Sequence, residues 1–370
     1  MRPLLACLAA FVAALACAMA VGVAPALAGP GLLVGVDDDT IKWLGKPNGV
    51  VGVNRDLGLG AMRVMLPWQR GETVPTKLQQ IYLHRISLAI ALGQRVVLAV
   101  YGPPAQAPLT ARQRDEYCGF LVHVLKRLPS IDDVVVWNEV NNPTFWPRAA
   151  GAEPYEALLA RCWDRLHALR PTVNVIDSTA PHQDPASFIA ALGAAYAVSG
   201  RTRPIVDTFG HNVYPQNSAE PPWVAHPDSL SIDEADYPRL MQVLEDAFGG
   251  TAQPLPGQGK TTIWYLEDGF QTAVPPGMGR YYGGTENERS TVAAGGQAGR
   301  LQAAVLLAYC QPAVGAFFNF ELMDEHRLVG WQSGLMYSNG RRKPAYEAYK
   351  QAIASVRAGT VDCSKIPAAG

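Results

Sequence analysis

The chain has 370 residues, 48% hydrophobic and 17% charged, enough apolar material for one large barrel or two average domains. Its formal net charge of −1 excludes the basic surface of a nucleic-acid binder or an anionic-membrane binder.

Residues 1–28 read as a secretory signal. Arg2 gives the positive start, an apolar stretch covers residues 4–23, and Ala26-Leu27-Ala28 fits the small-x-small cleavage pattern before Gly29. A retained N-terminal membrane anchor is the alternative reading. No later stretch is long and apolar enough to span a bilayer, so no membrane contact is expected after cleavage, and the product is secreted or held in the cell envelope. Of the six cysteines, Cys7 and Cys17 leave with the signal, and Cys118, Cys162, Cys310 and Cys363 remain. An even number in an exported chain permits disulfides. Cys118 and Cys162 fall on consecutive expected helices, which favours that pair and leaves Cys310 with Cys363. Four free thiols are the alternative. No CxxC or Cys/His spacing suggests zinc.

After the signal, eight apolar runs suit buried parallel strands: 32–36, 61–66, 96–101, 134–137, 173–177, 205–210, 262–267 and 316–320. They are rich in β-branched and aromatic residues and lack polar alternation, as expected where both faces are covered. Helical patterns fall between them at 77–92, 111–128, 153–169, 185–198, 237–248 and 291–310, and 345–356 follows the last strand. The Gly-rich segment after the first strand gives the weakest helical pattern. Eight strands alternating with helices predict an α/β fold, a (β/α)8 TIM barrel over residues 29–356, with residues 357–370 as a C-terminal tail. An open doubly wound sheet is the runner-up, but no glycine-rich phosphate loop follows the first strand. The longest loops, 214–236 and 268–290, fall at the rim that carries active sites in barrels.

Two of the runs end in a carboxylate: Val134-Val135-Val136-Trp137-Asn138-Glu139 and Thr262-Ile263-Trp264-Tyr265-Leu266-Glu267. In a closed barrel both tips lie on one rim, so Glu139 and Glu267 can face one another across the mouth as an acid/base pair. Arg63, in the second strand, could hold Glu267 ionised or could merely bridge barrel carboxylates. Asp37-Asp38-Asp39 follows the first strand; a solvated loop suits it better than a metal site, because three adjacent Asp residues cannot all face one ion. Trp43, Trp68, Trp146, Trp223 and Trp331 fall in rim loops, as sugar-stacking walls or as packing. Trp137 and Trp264 read as barrel packing.

On Asn138-Glu139 and the lone Glu267 three strands later, the chain resembles the clan A retaining (β/α)8 glycoside hydrolases, the clan that includes families 5 and 39. The resemblance is at motif level over most of the chain after the signal. It implies Glu139 as general acid/base, Glu267 as nucleophile, and Asn138 at the sugar 2-hydroxyl. In His211-Asn212-Val213-Tyr214-Pro215 it implies a site-lining His211 and a Tyr214 that contacts the nucleophile. The resembling families usually end the eighth strand with a Trp that floors the site. Asn319 stands there instead, within Phe317-Phe318-Asn319-Phe320-Glu321, and Trp331 could fold back to substitute. Glu321 is a third rim carboxylate and a rival to the pair. The expected protein is a secreted monomer that hydrolyses a β-linked poly- or oligosaccharide with retention, with no metal or organic cofactor implied. A non-hydrolytic carbohydrate-binding barrel, or a cell-envelope scaffold, is the alternative.

Overall fold

In a computed structural model that describes residues 29–43, 47–286 and 291–367, eight parallel strands close into one barrel. They are β1 (Leu33–Asp37), β2 (Ala61–Pro67), β3 (Val96–Tyr101), β4 (Asp133–Val136), β5 (Asn174–Ile176), β6 (Thr208–His211), β7 (Thr262–Asp268) and β8 (Val314–Phe320). β8 closes on β1 in a register running from Leu33 opposite Ala316 to Asp37 opposite Phe320. The helices are α1 (Thr40–Trp43), α2 (Pro47–Leu57), α3 (Lys77–Ala91), α4 (Ala111–Arg127), α5 (Glu153–Leu169), α6 (Pro185–Val198), α7 (Tyr237–Phe248), α8 (Ala294–Tyr309) and α9 (Pro344–Ala358). The expected signal, Cys7 and Cys17 lie outside the described residues. Among the described residues no helix is long and apolar enough to cross a membrane.

Strand alternation sorts the side chains into two cores. Ala61, Val97, Ala99, Val135, Ile176, Leu266 and Ala316 fill the barrel interior with the larger Trp264 and Phe318. The alternate residues, such as Met62, Val64 and Leu66 of β2, face the helix layer. Gly35 makes room for Phe318: a Cβ at that position would lie 2.5 Å from the Phe318 ring. The same alternation puts Arg63 on the interior side of β2, one step above Ala61.

Several boundaries differ from expectation for local reasons. β4 stops at Val136, because Trp137 (φ 70°) and Glu139 (φ 40°) adopt left-handed backbone. The break turns the Trp137 ring outward among Trp68, Tyr117 and Trp146. β6 starts only at Thr208, since the amides of Ile205 and Val206 are taken by the Gln253 side chain at 2.8 and 3.2 Å rather than by a strand. α8 begins at Ala294 because Val292 bridges to Thr272 instead of entering the helix. The weak first helical pattern resolves into α1 and α2. α3 and α4 start on capping boxes at Thr76 and Thr110.

Cys118 of α4 bonds Cys162 of α5, and Cys310 bonds Cys363. The second bond ties the segment after α9 to the end of α8. Gly29, just before β1, lies beside the Tyr309 ring at that same end of the barrel.

Candidate active site

The carboxyl ends of the strands bring the expected residues to one rim, through two departures from regular strand geometry. At β4 the left-handed Trp137 resets the alternation, so that Asn138 faces the interior. At β7 a one-residue bulge sets three steps (Tyr265 to Asp268) against two on β8 (Phe317 to Asn319), and Glu267 sits within it. Bulges of this kind re-aim side chains beside functional sites.

Arg63 joins the two halves. Its guanidinium donates to Glu267 Oε1 at 2.6 Å, to Asn138 Oδ1 at 2.7 Å, and to Asp37. Tyr214 donates its hydroxyl to Glu267 Oε2 at 3.0 Å. Burial and then the neighbouring Glu267 charge push the Tyr214 phenol well above its ordinary range, so it remains a donor. Glu139 has a different shell. Asn212 Nδ2 donates to Oε1 and Asn142 Nδ2 to Oε2, each at 2.7 Å, and the Ser178 hydroxyl accepts from the Glu139 amide at 3.1 Å. Burial and then the charge of Glu267 push the Glu139 carboxyl up to about 7, against the two amides and Arg63. Asp37 is also pushed well up, first by burial, although it touches Arg63. One guanidinium charge is shared between Asp37 and Glu267.

Two recesses among the described residues lie over the carboxyl ends of the strands. One of about 310 Å³ is lined by Glu139, Asn142, His182, Tyr214, Gln271 and Trp331, among others. Trp331 packs on Tyr214 (ring centres 5.0 Å apart) and on Phe320 (5.4 Å), and lines this recess. A second, of about 600 Å³, lies over β8, β1 and β3, lined by Asp37, Tyr101, Phe320 and Glu321. The rival Glu321 therefore stands in the other half of the mouth from Glu139.

Two expected contacts with sugar are not supported. His211 is buried, with Nδ1 engaged by Thr179 Oγ1 and Nε2 by the Ile232 carbonyl, each at 2.8 Å. Burial lowers the ring to about 4, so it is a neutral brace between β6 and its following loop. Asn319 is fully buried and donates to its neighbour Glu321 O at 2.7 Å, holding backbone rather than facing the mouth. Trp68 and Trp146 are buried packing residues, while Trp43 is exposed. The three aspartates are each occupied separately: Asp37 by Arg63, Asp38 by the amides of Thr40, Leu322 and Met323, and Asp39 by Lys42.

Asn142, Asn212 and Ser178 were missed. Asn212 lies inside a segment singled out for its neighbours, and Asn142 three residues beyond Glu139. Their amide character was the available signal. Among the described residues, the group whose ligand atoms could meet on one metal is Glu220, His226 and Asp233. There the imidazole lies between the two carboxylates, with Nε2 3.1 Å from Glu220 and Nδ1 3.0 Å from Asp233.

No family model matches the chain, and no curated protein matches it. Solved structures do. A family 39 glycoside hydrolase from Bacteroides cellulosilyticus WH2 matches with a TM-score of 0.64 at 16% identity, over 88% of this chain and 64% of that one. The GH53 catalytic domain from Ignisphaera aggregans matches with a TM-score of 0.59 at 16% identity, over 87% of this chain and 96% of that one. GH5_18 from Streptomyces cattleya, in complex with GlcNAc, matches with a TM-score of 0.58 at 14% identity, over 88% and 80%. The chain spans less than two thirds of the family 39 structure and about half of two GH2 β-galacturonidase structures, covering 47% of each. What these proteins share with the chain is the eight-stranded parallel (β/α)8 barrel.

Proposed function

We propose that the chain is a glycoside hydrolase that cleaves β-linked O-glycosidic bonds of a poly- or oligosaccharide by retaining double displacement. The observation that carries this is the contrast between two carboxyls on one rim. Glu267 lies against a permanent positive charge and a phenol donor. Glu139 is lifted to about 7 by burial and by the nearby Glu267 charge, against its two amide donors. Retaining hydrolysis requires this contrast, one carboxylate to attack and one carboxylic acid to release the leaving group.

In the first step Glu267 attacks the anomeric carbon, the bond to the leaving oxygen breaks, and Glu139 gives its proton to that oxygen. In the second, Glu139 takes a proton from water as that water attacks the anomeric carbon and frees Glu267. Asn138 spends its Oδ1 on Arg63, which leaves its Nδ2 to donate to the sugar 2-hydroxyl. The glycoside hydrolase neighbours support the reading at the level of a shared barrel. The leader-like start and the two disulfides support an exported protein.

A panel of aryl β-glycosides and β-glucans, followed by proton NMR of the first product, tests this. Retention predicts a first product with the β configuration, and an α product would remove the double-displacement step. Full activity in both Glu139→Gln and Glu267→Gln would remove the assignment altogether. Sugar binding without turnover anywhere in the panel would favour the non-hydrolytic barrel.

A further inference from the structure

The recess of about 600 Å³ over β8, β1 and β3 has a charge imbalance that the hydrolytic mechanism does not use. Six carboxylates line it: Asp37, Asp38, Asp39, Glu321, Asp324 and Glu325. Two are neutralised from within the protein, Asp39 by Lys42 at 2.6 Å and Asp324 by the buried Lys343 at 2.6 Å, while Asp37 shares Arg63 with Glu267. Asp38 is spent on backbone amides. Glu321 is only 8% exposed, its Oε2 is fully buried without a hydrogen-bond partner, and among the described residues no side-chain cation forms an ion pair with it. A buried polar atom without a partner is rare in folded proteins and marks a place where a donor is wanted. Glu325 is exposed at the edge of the same recess, its carboxyl lying against Gly330. His326 is already turned to the Tyr281 carbonyl at 2.6 Å. Arg327, the other lining cation among the described residues, does not balance Asp38, Glu321 and Glu325 together. Trp43, 58% exposed, adds an aromatic face at the rim.

We propose that this half of the mouth is a subsite for an amino sugar, with Glu321 and Glu325 receiving its ammonium and Trp43 stacking on its ring. The subsite joins the catalytic pair through Asp37, which lines the recess and shares Arg63 with Glu267. A glucosamine unit bound here lies in the same cleft as the bond to be cleaved. Burial first, and then the charges of Asp38 and Glu325, push the Glu321 carboxyl well up, a crowding that an ammonium relieves. The inference deepens the hydrolase reading and rests on it for the bond cleaved, but not for the binding.

Calorimetric titration of the full chain with β-1,4-linked glucosamine oligomers, their N-acetylated counterparts and the matching glucose oligomers tests it. Glucosamine oligomers are expected to bind roughly tenfold or more tightly than either neutral series, the range of a charge-assisted hydrogen bond. Glu321→Gln and the exposed Glu325→Gln should each lose most of that preference. Equal affinities, no binding of the glucosamine series, or a preference that survives in both variants would overturn the subsite. Calcium chloride titrated alone distinguishes an inorganic cation: binding that Glu321→Gln abolishes would replace the amino sugar with a metal. Turnover separates the two proposals. Hydrolysis of neutral glycosides without any glucosamine preference defeats the subsite and leaves the hydrolase, whereas glucosamine preference without turnover does the reverse.

Discussion

At the scale of single residues, the site works by giving two glutamates unlike neighbours. Glu139→Gln removes the proton donor and is expected to lower kcat by about 10²–10⁴-fold on substrates with poor leaving groups. Glu267→Gln should abolish steady-state turnover, and kinetics on a β-linked oligosaccharide, whose leaving group is a sugar alcohol, check both. A group lifted to about 7 that must be protonated to act gives kcat/KM a basic limb near pH 7. The Asn212 and Asn142 amides favour the ionised form of Glu139. Asn212→Ala should therefore move that limb to higher pH, read from a pH–rate profile. Tyr214→Phe loses one hydrogen bond to a charged group, a cost of about 1.5–3 kcal/mol in kcat/KM. The glutamates and Arg63 were legible because strand ends and charge are written in the sequence. The bracing role of His211 was not, because which groups fill its ring nitrogens depends on loops far away in the chain, and that of Asn319 was not, because the strand pattern does not say which way the backbone turns after Phe320. Thr179 and Ile232 decide the case of His211.

At the scale of elements, apolar β-branched runs located every strand, and the bounds of α5, α6 and α7 agree with their sequence patterns. What the patterns could not carry were the local breaks that aim the site: left-handed Trp137, the bulge in β7, and the capture of residues 205 and 206 by Gln253. Each turns on a contact between elements, and periodicity within one element does not register it. Gly35→Ala tests how tightly the barrel interior is filled. Its Cβ would press on Phe318 and on the Ala61 carbonyl, at 2.5 and 2.7 Å. Overpacking of this kind costs about 1–3 kcal/mol, measured by denaturant unfolding. The Cys118–Cys162 bond closes a separation of 44 residues, and its removal as a double Ser variant should cost about 2–4 kcal/mol in the same assay.

At the scale of the whole molecule, buried acids set the response of stability to pH. Burial raises Asp38 to about 6, Asp177 to about 7 and Asp268 to about 8. Between the ordinary carboxyl range and those values, the folded chain holds protons that the unfolded chain has released. Stability contributed this way is fully present below about pH 4 and is lost as pH rises through the folded values. His211, lowered to about 4, opposes with a single proton below its ordinary pKa. The melting temperature is therefore expected to fall from pH 5 to pH 8, and a calorimetric series in low-salt buffers measures it. The two ends of the described chain add a directional consequence. Gly29 beside Tyr309, and Cys363 bonded to Cys310, lie together at the floor of the barrel. A surface, a carrier or a cell wall attached through either end would hold the protein like a cup by its base, with the opening turned toward whatever arrives from solution.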